Sequence, residues 1–344
     1  MIEMDAPSYN RTPSPALRQL LAGEGFLGPL IRERTTNGVE IEVQFRSGDE
    51  VHLYCGLTCI VKCRRDGDSL IRVESHRAYA CRPCANRLFR PASRRVGKRG
   101  TYVSDVWSVG DPAFAPALET FLDGLTVGKR QTKEGSIQAR WSRVIAPWIV
   151  FDKEAQLAYP SKLERARQLC EAFRPSVQAA RNELYLLAHS RRSLPNRRDH
   201  WAMPPKGKTR LKIDQLAVDS AGNLVLLEIK DASGSASEVY YAPFQLLQNV
   251  WEWQRALPAV RGSLQKLLDA RVELGLTPGG VPRITGVIRA AIGFGADERS
   301  ERVRSRYSEV LGIVNAQLPT GISPIETWAF VNGEPIRMAF AAHR

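Results

Sequence analysis

Apolar and polar residues alternate along the chain from Val39 onward. VEIEVQF (39–45), EVHLYC (50–55), LTCIVKC (57–63) and SLIRVESHRAYA (69–80) each read as a strand. Turns are expected at Ser47-Gly48-Asp49 and Asp66-Gly67-Asp68. A Pro/Ser segment and a short apolar stretch, Leu17 to Leu30, precede them, and the Pro/Gly/basic run at 91–100 reads as a linker. Between 112 and 190 the pattern turns helical, with helices expected at Ala113–Leu125, Ser161–Phe173 and Ser176–Arg191. Pro175 is expected to separate the last two.

Two strands follow, LKIDQLAV (211–218) and NLVLLEIK (223–230), joined by a turn at Asp219–Asn223. A Gly/Ser loop at 232–237 leads to helices at Pro243–Leu257 and Leu264–Leu274, then a buried strand at 284–295 and a helix at Glu298–Leu318. ETWAFV and PIRMAF form a terminal hairpin across Asn332-Gly333. This suggests a β-rich domain at 1–100, a helical connector at 101–160 and an α/β domain at 161–344.

The 211–230 hairpin carries the chemistry. Strand side chains alternate, so Leu224, Leu226, Glu228 and Lys230 share one face. An acid and a base thus end a strand that is otherwise apolar on both faces. Burying charge there is costly unless it is paired or binds a metal. Closing the hairpin at 219–223 sets Asp214 opposite Glu228. Two carboxylates can then converge on one cation, and hard oxygen donors suit Mg²⁺ or Mn²⁺. Lys230 is placed to reach an attacking water or a phosphate, the set that phosphodiester hydrolysis needs.

These residues, Asp214, a hairpin, then Glu228-Ile229-Lys230, resemble the PD-(D/E)xK superfamily of restriction-like nucleases. The resemblance covers about residues 165–295. It implies a mixed central sheet flanked by helices. It also implies a divalent metal held by Asp214, Glu228 and the Ile229 carbonyl, with Lys230 beside the water. Many members carry an acid on the preceding helix, where Glu183 fits and is expected near an inward face. Some carry a Gln on the following helix, where Gln245 matches best and Gln248 second, with Trp251 near the place of an expected Tyr. Ile213 stands where the motif's proline would be.

Charge and cysteines extend this picture. The net charge is +13, from 49 Lys+Arg against 36 Asp+Glu, which suits a polyanionic partner. Arg191, Arg192, Arg197, Arg198, Lys206, Lys208, Arg210 and Lys212 run directly into Asp214 and could line a phosphate track, with Trp201 available to stack on a base. Cys81-x-x-Cys84 is half of a zinc site, and Cys55-x-x-x-Cys59 offers the other half. Cys63 could replace either of the latter, and His76 is a further candidate. A structural Zn²⁺ would staple a β unit with little core of its own.

No stretch approaches the ~20 apolar residues of a membrane span, and the N-terminus lacks a secretory pattern, so a cytoplasmic location is expected. The sequence therefore suggests a Mg²⁺-dependent deoxyribonuclease that cuts internally, preceded by a zinc-stabilised β domain. DNA is preferred to RNA as partner, and assembly with a second copy or another protein stays open. The rivals are an inactive nucleic-acid-binding or scaffold protein and a zinc-dependent regulator.

Overall fold

The computed structural model describes residues 6–36, 38–95, 101–127, 133–190, 212–231, 236–295 and 301–339. The chain is mixed α+β and divides into two compact units. A meander unit holds Asn10–Arg140 and Ser263–Gly280. A mixed-sheet unit holds Met1–Tyr9, Trp141–Gly262 and Val281–Arg344.

In the meander unit α1 (Pro15–Leu21) precedes six strands: β1 (Thr35–Thr36), β2 (Val39–Ser47), β3 (Glu50–Cys55), β4 (Thr58–Arg65), β5 (Leu70–His76) and β6 (Tyr102–Ser108). They pair in sequence order, each antiparallel to the last. The four strands expected from alternation are present. The end of the fourth turns instead into a short helix, α2 (Arg77–Ala80), whose first turn is capped by the His76 ring nitrogen. α3 (Pro91–Arg95), α4 (Phe114–Asp123) and α5 (Lys133–Ser142) follow. One sheet face buries Val43, Phe45, Val51, Leu53, Val61, Ile71 and Val73. Helix α4 contributes Phe114, Leu118, Phe121 and Leu122 to the same unit's core, with Phe114 edge-on to Trp107 of β6. Strand β6 joins the sheet beyond residue 100, so the meander does not stop at the expected linker.

In the mixed-sheet unit the strands are β7 (Trp148–Ala155), β8 (Ile213–Asp219), β9 (Leu224–Lys230), β10 (Ile288–Phe294), β11 (Glu326–Val331) and β12 (Glu334–Arg337). They lie side by side in that order. The β9–β10 and β10–β11 pairs are parallel and the others antiparallel. Parallel neighbours need a crossover. These are supplied by α7 (Ala236–Glu273) and α8 (Glu301–Asn315), while α6 (Lys162–Ser190) connects β7 to β8.

Three expectations are corrected here. The helix at 162–190 is continuous through Pro175, and α7 is one helix through Pro243 and Pro258 rather than two. An internal proline costs about 3 kcal/mol. In α7 that cost is offset by the buried Leu246, Leu247, Val250, Trp253, Leu257 and Val260 around the two prolines. The 112–190 segment, read as mainly helical, contains β7. That strand is buried on both faces and so shows no alternation.

Behind the sheet lies an aromatic layer. Trp141 stacks on Trp148 with ring centroids 5.7 Å apart and meets Phe330 at 4.4 Å, and Trp148 meets Trp328 at 5.2 Å. The Trp141 indole, within the same unit, donates to the Phe294 carbonyl of β10 at 3.2 Å. Helix α6 is locked to α7 by a buried fork, in which Arg165 Nε and Nη2 donate to the two Glu252 oxygens at 3.1 and 3.2 Å. Among the described residues no helix is long and apolar enough to cross a membrane.

Candidate active site

The β8–β9 turn fixes the register. The Asp219 carboxylate accepts from the Ala221 and Asn223 backbone N–H groups at 3.0 and 2.9 Å. Gly222 adopts φ +83°, and a Cβ there would lie 2.2 Å from the Arg283 carbonyl oxygen, so only glycine fits. From this turn Leu216 pairs with Leu226 and Gln215 with Leu227. One further step sets Asp214 opposite Glu228, as the hairpin arithmetic predicts.

The two acids and the lysine meet at this end of the hairpin. The Ile229 backbone N–H donates to Asp214 Oδ2 at 2.8 Å. Lys230 Nζ lies 2.8 Å from Glu228 Oε1. Glu228 is 4% exposed, and every residue of β9 except Lys230 is buried. Burial, and then the Glu228 charge, push the Asp214 carboxyl up to about 7, against the pull of Lys230 and the Ile229 N–H. A site that raises one acid in this way gains from a cation between the carboxylates.

The donor set fits a hard divalent ion: two carboxylates and a strand carbonyl, that of Ile229. Among the described residues no group of three or more His, Cys, Asp and Glu side chains is placed to hold a metal. Asp214 and Glu228 would therefore share such an ion with backbone, water and substrate rather than with a third acid.

Sequence reasoning missed Glu154. It lies on β7, between the Lys153–Gln215 and Ala155–Ile213 pairs, hence beside Asp214. Its charge adds to the upward push on Asp214. Its backbone is left-handed, φ +48°, which is rare for a residue with a side chain. Its carboxylate faces Lys212 Nζ at 3.8 Å. The signal was an acid in WIVFDKEA, unreadable without the strand.

The other expected residues divide. Gln245 is half-buried on α7, and its side-chain oxygen has no hydrogen-bond partner among the described residues. The buried Asn249, one turn on, repeats this pattern and donates to the Gln245 carbonyl at 3.3 Å. Glu183 is exposed, which corrects its expected inward position. The buried stripe of α6 there is Val177, Ala180 and Leu184, at helical spacing, and Glu183 falls outside it. Lys212 is exposed, while Arg191, Arg192, Arg197, Arg198, Trp201, Lys206, Lys208 and Arg210 lie outside the described residues.

Among the described residues the expected zinc ligands are not grouped as a metal site. Among the described residues Cys55, Cys59, Cys63, Cys81 and Cys84 are in no disulfide. The Val61–Ser75 pairing puts the β3–β4 turn and the end of β5 at one end of the sheet. Cys55 and Cys63 are buried, Cys81 is exposed, and Cys84 lies beside Gly124. His76 spends its Nδ1 capping α2. Burial also holds the Cys63 thiol well above its ordinary range.

Comparison with known proteins finds no match: no family model, no curated protein and no solved structure matches the chain.

Proposed function

We propose that the mixed-sheet unit is a metal-dependent nuclease domain with a restriction endonuclease-like core, hydrolysing phosphodiester bonds within DNA. One observation carries the reading: Asp214, Glu228 and Lys230 come together at the buried end of one hairpin, where Ile229 N–H and Lys230 Nζ each hold a carboxylate oxygen at 2.8 Å. Asp214, Glu228 and the Ile229 carbonyl would hold Mg²⁺ or Mn²⁺, which when bound polarises a phosphoryl oxygen and acidifies water. Lys230 then faces the attacking water and the charge that grows on the phosphate. Gln245, with an uncommitted buried oxygen, supports the site from α7. The basic run ending at Lys212 supplies the electrostatic track toward it.

The Lys230–Glu228 contact also suits a structural ion pair in an inactive nucleic-acid-binding protein. One experiment separates the two. Plasmid and linear DNA are incubated with the protein in Mg²⁺, Mn²⁺ or EDTA, comparing the parent with Lys230→Ala. Metal-dependent cutting that is lost in the variant supports the nuclease, and nicked or linearised plasmid identifies internal cleavage. No cutting by the parent, or equal cutting by both, sinks it in favour of the binding protein.

A further inference from the structure

The outward face of the meander sheet carries a second chemical constellation. Strand β3 presents Glu50, His52 and Tyr54 on this face. Strand β4 would present Cys59 on the opposite face with Val61 and Cys63, but a bulge intervenes. The pairing steps from Leu53–Val61 to Tyr54–Cys59, leaving Ile60 as the extra residue. The Ser75 hydroxyl fastens the bulge by donating to the Ile60 carbonyl at 2.6 Å. A bulge re-aims the side chain beside it, and here it turns the Cys59 thiol onto the face of His52.

Cys59 Sγ lies 3.9 Å from His52 Nδ1, and the Glu50 carboxylate is hydrogen-bonded to His52 Nε2. A carboxylate only accepts, so Nε2 carries the proton and Nδ1 offers its lone pair to the thiol. The partners sit on opposite nitrogens of the ring. That is the arrangement of a proton relay, whereas a chelate would need them to converge. Tyr54 Oη, 3.4 Å from Nδ1, completes the surroundings, and the thiol is 3.9 Å from the Val61 carbonyl oxygen.

We propose that Cys59 is an activated thiol and a modification site for soft electrophiles, with His52 as its base and Glu50 orienting the ring. The Sγ proton passes to His52 Nδ1. The thiolate then attacks an electrophilic carbon, its S–C bond forming as the carbon–halide bond breaks, and the halide leaves with the electron pair. His52 later releases the proton to water.

Arg46 and Lys62 face His52 and lower its basicity, while Lys62 and Arg64 face Glu50 and favour its ionised form, so the relay stands on the geometry of the three side chains. The Arg46 guanidinium stands 4.9 Å from the centre of the Tyr54 ring. His52 itself is 8% exposed, and burial, its largest influence, lowers its basicity while Glu50 restores it. Cys59 is half-buried, whereas Cys55 and Cys63 are buried.

The test is time-resolved labelling of the reduced full chain with iodoacetamide near pH 7, read by peptide mass spectrometry. Cys59 is expected to react about tenfold faster than Cys81, although Cys81 is more exposed, because activation raises the thiolate fraction. His52→Ala is expected to bring Cys59 down to or below the Cys81 rate, and Glu50→Gln to slow it less. The buried Cys55 and Cys63 stay unlabelled while the unit is folded. If His52→Ala exposes them, the parent rates and Glu50→Gln decide. Cys59 reacting no faster than Cys81 in the parent overturns the proposal, as does an unchanged Cys59 rate in a folded variant. Joint protection of Cys55, Cys59, Cys81 and Cys84 that EDTA removes also overturns it and returns the cysteines to zinc.

Discussion

Gly293 stands opposite Ile229 across the parallel β9–β10 pair, and the side chain it lacks would occupy the space of the Trp141 indole. A Cβ at Gly293 would lie 2.7 Å from Trp141 Cε2 and 2.8 Å from Ile229 Cδ1. Gly293 thus leaves room for both Trp141 and the residue between Glu228 and Lys230. Gly293→Ala should therefore destabilise the fold by about 1–3 kcal/mol through overpacking. It should also reduce cleavage at full folded occupancy, because Ile229 moves both charged neighbours. Denaturant unfolding and single-turnover rates check this. Trp141→Leu in the same chain should recover part of the stability, and wild-type stability in Gly293→Ala alone would contradict the packing.

The acids and the lysine are expected to separate in a metal titration. Mg²⁺ should raise the melting temperature of the parent and of Lys230→Ala, since neither lacks a carboxylate. Asp214→Asn and Glu228→Gln should show little rise. All three variants should lose at least roughly a hundredfold in cleavage. A full Mg²⁺ shift in Asp214→Asn would remove that residue from the metal site.

Asp214 also sets a pH dependence. Its carboxyl is raised from 3.8 in the unfolded chain to about 7 in the fold, so the folded state retains a proton that the unfolded state releases. Stability from this group is complete below the unfolded value and is lost as pH rises through about 7. In EDTA the parent should thus lose stability between about pH 5 and pH 8, and Asp214→Asn should lose less. With Mg²⁺ present the slope should flatten or reverse, because the ion binds the ionised form. Equal slopes for parent and variant in EDTA would show that Asp214 is not raised.

The Arg165–Glu252 fork gives a prediction away from the chemistry. Arg165→Ala leaves a buried carboxylate without its cation and should cost about 3–5 kcal/mol. Glu252 is already pushed upward by burial, with Arg165 and then the Tyr159 hydroxyl holding it back. Arg165→Met with Glu252→Leu should cost much less, since it removes both charges. Urea unfolding measures both, and equal losses would indicate that the pair is not coupled.

The hairpin was the most legible part of the sequence, for a physical reason. Four apolar residues, Leu224 to Leu227, ahead of Glu228 leave little doubt about burial, and the Asp219–Asn223 turn fixes the pairing number by number. Glu183 misled because a helix presents several apolar neighbours to any residue, and only the stripe of Val177, Ala180 and Leu184 marks the inward side. β7 and Glu154 were hidden because a strand covered on both faces loses its period. The Cys59 orientation was hidden more deeply. Alternation assigns it to the inner face, and the single extra residue at Ile60 reverses that assignment.

The two units are braided along the chain. Residues 263–280 belong to the meander unit yet fall between two segments of the mixed-sheet unit. A ribosome making this protein releases β7, β8 and β9 well before β10 and β11 exist, so β9 waits with an open edge until its parallel neighbours emerge. No single cut yields either unit whole. A fragment ending near residue 262 would carry Asp214, Glu228 and Lys230 but lack the strand that backs them. Attempts to transplant the Asp214, Glu228 and Lys230 cluster into another scaffold should therefore take residues 141 to 337 as one piece, with the meander segment carried inside as a passenger.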